Sequence, residues 1–125
     1  MTENQIKSFT DLKAWQEAHV LVVLIYKVTK NFPKEETYSL VDQMRRSSSS
    51  ISSNIAEGFG RQTYKDKVHF FYLAQGSLTE LKDQLLIAKD VSYLNKINFT
   101  ELANQANLTH RLLQGLITKS KSFIK

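Results

Sequence analysis

Residues 64–91 read YKDKVHFFYLAQGSLTELKDQLLIAKDV, and within them Phe71, Leu78 and Leu85 recur seven residues apart, as do Ala74, Leu81 and Ala88. Two apolar rows at that repeat merge into one continuous stripe on a helix, the seam by which it joins a bundle. The spacing predicts a helix over 63–92. Beyond it, Ser92 to Ile97 break the pattern, and Leu102, Ala106, Thr109, Leu113, Leu116 and Phe123 resume it, which predicts a helix over 98–122. On the N-terminal side, Leu40, Met44, Ser47 or Ser48, Ile51 and Ile55 share a stripe that Gly58 and Gly60 close, predicting 37–58. Leu12, Trp15, His19, Val22, Tyr26 and Thr29 fall at three- and four-residue steps ahead of Asn31-Phe32-Pro33, predicting 9–31. Four long helices with short links read as an all-α, antiparallel up-and-down four-helix bundle.

Helix starts are marked by a Ser, Thr, Asn or Asp with an acid three residues on, because the two side chains satisfy backbone N–H groups that have no partner in the first turn. Four such pairs precede amphipathic runs: Ser8 with Asp11, Ser39 with Asp42, Thr63 with Asp66, and Asn98 with Glu101. Serines 47–50 lower the intrinsic helix propensity of the second segment, so that helix is expected to depend on packing.

The composition agrees with a folded helical domain. Of 125 residues 42% are hydrophobic and 23% charged, with four Gly and one Pro. The whole of 1–125 is expected to be one domain, with flexible ends at 1–8 and 122–125. The absence of Cys excludes a disulfide framework, a thiolate metal site and Cys nucleophilic chemistry, and fits a reducing, cytoplasmic setting. No signal-peptide pattern opens the sequence, and the longest apolar run, Val20 to Tyr26, is far short of the ~20 residues needed to span a bilayer. A soluble protein without a membrane partner is expected.

The net charge of +5 is unevenly placed. Residues 1–90 hold twelve basic and eleven acidic side chains, and 91–125 hold five basic and one acidic. A basic C-terminal segment points toward a polyanion. Arg111, Lys119, Lys121 and Lys125, with Arg61, Lys65 and Lys67 around the turn into the third helix, are the candidate phosphate contacts. Helix one is apolar on nearly every side between Val20 and Tyr26, and the third helix carries Phe70, Leu73, Leu86 and Ile87 off its seam. This excess predicts a homo-oligomer, with Val20, Val23 and Leu24 at the interface.

No enzyme signature is present. The histidines lie on three different predicted helices, at 19, 69 and 110, and Asp66-x-x-His69 is the nearest approach to a di-iron motif, which would need a second such pair and two further glutamates. Zinc-helix, phosphate-loop and nucleophile-elbow patterns are lacking. No catalytic residue, metal or cofactor is expected. Gln43, Arg45, Arg46, Asn54, Glu57, Ser77 and Glu80 sit beside core positions, where charges must pair; they predict a structural polar network in which Arg45 or Arg46 meets Glu57 or Glu80.

Asp11-Leu12 with Trp15, Phe32-Pro33, Gln43-Met44-Arg45-Arg46, Asn54-Ile55-Ala56-Glu57-Gly58 and Ala74-x-Gly76-Ser77-Leu78-x-Glu80-Leu81 together resemble the bacterial four-helix bundle family encoded in 23S ribosomal RNA intervening sequences. The resemblance covers about residues 9–120, and the accessory protein of diversity-generating retroelements looks like the same family. It implies a barrel-like homopentamer that binds nucleic acid, RNA or DNA, through basic surface. The competing expectation is a scaffold for a protein partner.

Overall fold

The computed structural model describes residues 6–125. Four helices, α1 (Lys13–Thr29), α2 (Leu40–Phe59), α3 (Tyr64–Asp90) and α4 (Lys96–Lys121), alternate in direction. They close a ring of packed pairs, α1 on α2, α2 on α3, α3 on α4 and α4 back on α1. Short 3-10 turns at Phe9–Asp11 and Lys34–Glu36 precede α1 and α2, and the described residues contain no strand. This is the all-α four-helix arrangement that the spacing predicts.

The two rows of α3 are all buried, as are Leu40, Met44, Ile51 and Ile55 of α2 and Leu102, Ala106, Thr109 and Leu113 of α4. Each fully buried Leu or Ile contributes about 1.5–3 kcal/mol by leaving water, so the core rather than helix propensity holds the serine-rich α2. Its serine hydroxyls are satisfied locally and across helices. Ser47, Ser48, Ser49, Ser52 and Ser53 each donate to the carbonyl three residues earlier. Ser47 also donates to Gln84 at 2.6 Å, and Ser50 shares a 2.9 Å bond with Ser77. Small residues there let α2 and α3 make the most extensive interface of the bundle. At its end, Gly58 lies against the Phe71 ring, where an added Cβ would be 2.6 Å from a ring carbon.

The structure corrects the expected boundaries. Leu12 is extended, so the Ser8–Asp11 box closes the 3-10 turn and α1 begins at Lys13. Backbone N–H groups of Lys7 and Ser8 donate to the Asp11 carboxylate at 2.9 and 3.0 Å and hold its pKa below the ordinary range. Of the N-terminal segment expected to be flexible, 1–5 lie outside the described residues. Ser39 makes no side-chain cap; Leu40 N–H donates to Glu36 instead. Thr63 does cap α3, accepting from Asp66 N–H. The last helix is capped by Asn95, not Asn98. The reason is the tight end of α3, where Ser92 takes a left-handed φ of 67°. Its N–H donates to Lys89 and that of Tyr93 to Ala88, the paired bonds of a Schellman motif.

The buried stripe of α1 is rotated from the expected one. Ala14, Ala18, Leu21, Ile25 and Thr29 face the core, leaving His19 and Tyr26 exposed and Trp15 half-buried. At the end of α4, Ile117 and Ser120 are buried, Leu116 is half-buried and Phe123 is exposed. Beyond α4, Phe123 N–H donates to the Ser120 carbonyl and Ile124 N–H to that of Lys121.

Candidate nucleic-acid interface

Alternating direction sets the starts of α1 and α3 and the ends of α2 and α4 at one end of the bundle. That end carries Lys7, Lys13, Arg61, Lys65, Lys67, Lys119, Lys121 and Lys125 against Asp11, Glu57 and Asp66. The fold thus gathers six of the seven candidate phosphate contacts from two distant segments. Arg111 is apart from them, higher on α4.

The gathered cations differ in what they already touch. Lys67 donates to the Phe59 carbonyl at 2.6 Å, satisfying the end of α2, and burial lowers its pKa. It is engaged in closing the turn. The Arg61 guanidinium lies 4.4 Å from the centre of the Phe70 ring and 3.6 Å from the Glu57 carboxylate; both partners of that ion pair are about half exposed, so it is worth only about 0–1 kcal/mol. Lys121 reaches the Tyr72 hydroxyl at 3.3 Å. Lys65 and Lys125 line a cleft of about 440 Å³ with Thr63, Tyr64 and Phe123, and neither meets a carboxylate within ion-pair distance among the described residues.

Aromatic rings accompany these cations. Tyr64 and Phe123 pack with ring centres 4.9 Å apart, 41% and 49% exposed. Tyr64 opens α3 and Phe123 follows α4, so nothing in local sequence pairs them. Exposed rings beside lysines offer a surface on which unpaired bases stack.

Arg111 lines a different cleft, between α3 and α4, with Lys82, Asn107, His110 and Gln114. Lys82 Nζ is 2.8 Å from Nδ1 of His110. Burial, and then the Lys82 charge, hold the His110 pKa below its unfolded value of 6.5. The unfolded chain therefore takes up this proton first as the pH falls, so stability present above about 6.5 is lost on acidification. Urea unfolding should show lower stability at about pH 5.5 than at about pH 7.5, and His110→Gln should reduce that difference.

The polar residues of α2 find partners other than those expected. Arg45 donates to Thr29 Oγ1 at 3.0 Å and lies 4.6 Å from the centre of the Tyr26 ring, Arg46 pairs with Asp42 at 3.0 Å, and Glu57 pairs with Arg61. Arg46 and Glu57 each find an opposite charge one turn away, and Arg45 reaches across to α1, so neither arginine meets Glu57 or Glu80. Asn54 donates to the Ser50 carbonyl and hydroxyl. The Gln43 and Glu80 side chains are exposed and make no hydrogen bond among the described residues. On α1, Val20 and Val23 are exposed, whereas Leu24 is half-buried against the core. Among the described residues no three His, Asp or Glu side chains cluster as a metal site would require, and no helix is long and apolar enough to cross a membrane.

The family model for 23S rRNA-intervening sequence proteins matches residues 10–115. A crystal structure of a protein of unknown function from the S23 ribosomal protein family of Bacteroides thetaiotaomicron is similar in fold, with a TM-score of 0.78 and 21% identity over 84% of this chain and 95% of that one. No curated protein matches the chain.

Proposed function

This chain belongs to the 23S rRNA-intervening sequence protein family, and from that premise we propose that it is a non-enzymatic, cytoplasmic bundle whose basic end binds the phosphate backbone of single-stranded nucleic acid. The observation that carries the reading is the convergence of Lys65 and Lys125 around the exposed Tyr64–Phe123 ring pair, with Lys121 at the neighbouring exposed Tyr72 ring. Lysines neutralise phosphates and release condensed counterions, and the rings stack bases whatever their identity. Labelled single-stranded RNA, structured RNA and duplex DNA, titrated at one salt concentration, test it. Single strands are expected to bind tightest and with little base preference; equal or stronger binding to duplex DNA would contradict the role given to the rings.

Self-association is part of the proposal. Val20, Val23 and Tyr26 of α1 are each more than 40% exposed, as are Leu73, Leu86 and Ile87 of α3, which lies diagonally across the bundle from α1; these are two apolar faces of the kind subunits bury. The family resemblance implies a homopentamer, which would repeat the basic end in every subunit and strengthen its field. Replacing Val20 or Val23 with Glu is expected to dissociate the assembly while leaving helical content intact, because a charge at an interface loses its water without gaining a partner. Light scattering that reports a monomer for the unmodified chain would contradict it.

A further inference from the structure

The α3–α4 cleft, about 550 Å³ in volume, is lined by Lys82, Asn107, His110, Arg111 and Gln114. An ammonium only donates, so Lys82 Nζ, 2.8 Å from His110 Nδ1, makes that nitrogen the acceptor and places the proton of the neutral ring on Nε2. Nε2 in turn lies 3.4 Å from the amide nitrogen of Gln75, which donates to Gln114 Oε1 at 2.8 Å. Two donors thus face each other. Turning the Gln75 and Gln114 amides together relieves this, with Gln75 Oε1 then accepting from both His110 Nε2–H and the Gln114 amide. No carboxylate lines the cleft, and the Arg111 side chain makes no hydrogen bond or ion pair among the described residues.

Two cations and several neutral N–H groups without an acid among them are the complement of an oxyanion, with an arginine fork and a lysine point charge as its usual holders. We propose that this cleft binds a phosphate group, held by Lys82 and Arg111, with the Asn107 amide and the His110 ring beside them. It is separate from the basic end and does not rest on the reading given to that end. The same chemistry would serve the phosphodiester of a strand or a free phosphate monoester.

His110 reports occupancy directly. Lys82 from α3 and Arg111 from α4 are the charged groups lining its cleft, so a bound anion offsets the charge that depresses its pKa. Nuclear magnetic resonance of the histidine rings, with inorganic phosphate replacing chloride at constant ionic strength, is expected to show a saturable shift and a raised pKa for His110, with His19 and His69 unmoved. The double variant Lys82→Gln with Arg111→Gln should weaken the apparent affinity at least about tenfold, and Lys65→Gln with Lys125→Gln should leave it unchanged. Adenosine 5′-monophosphate and a dinucleoside monophosphate distinguish the sources: saturation by the diester assigns the site to a strand, and saturation by the monoesters alone assigns it to a small phosphate. The proposal is overturned if none of the three probes saturates, or if the shift survives in the double variant.

Discussion

Gly58→Ala is expected to destabilise the bundle by about 1–3 kcal/mol, although alanine is the better helix former. In an open helix the exchange would gain about 1 kcal/mol. At Gly58 the new Cβ would lie 2.6 and 2.9 Å from two carbons of the Phe71 ring and 3.1 Å from the Lys67 carbonyl oxygen. Phe71 is itself only 2% exposed, so its ring has no free space to yield, and forced overpacking costs about 1–3 kcal/mol. Gly115→Ala supplies the contrast. Nothing lies within 4 Å of its added Cβ, and it should stabilise the fold by about 0.5–1 kcal/mol. Denaturant unfolding of the two variants checks both signs; a stable Gly58→Ala would mean that α2 and α3 are not packed as described.

The second large effect is on binding. Lys65→Gln, Lys121→Gln and Lys125→Gln together are expected to weaken single-strand binding about a hundredfold, and to do so equally for all sequences, since phosphate contacts position a strand without reading it. The three side chains come from the start of α3 and the end of α4, so the combined loss tests their convergence. Arg111→Gln, outside that end, should change this affinity far less. A triple variant that binds as the unmodified chain does would remove the basic end from the account.

The heptad rows of α3 were legible because every apolar residue in them has a core position to fill. α1 was not, because it carries more apolar residues than the core can take. With Val20, Val22, Val23, Leu24 and Tyr26 all adjacent, a stripe through Trp15, His19 and Tyr26 fits the periodicity as well as the real one. What decides is size: Ala14 and Ala18 face inward, both at most 3% exposed. The cap of α4 was misplaced for a similar reason. Asn95 and Asn98 are equivalent as cap residues, and the choice is made by the backbone turn at Ser92, whose left-handed conformation no sequence rule assigns to serine. The charge of the basic end could be read from composition, but its gathering could not, because helix direction alone brings Arg61 and Lys65 beside Lys119 and Lys125. Neither the Tyr64–Phe123 pair nor the Lys82–His110 contact leaves any local motif.

The claim that phosphate contacts at the basic end carry binding is tested most directly by the salt dependence of single-strand affinity. Each neutralised phosphate of a single strand contributes about −0.7 to the slope of log K against log salt, so the three lysines alone imply a slope of about −2 or steeper, which the triple variant should flatten. A slope near zero in the unmodified chain, or one that the triple substitution leaves unchanged, would contradict the account.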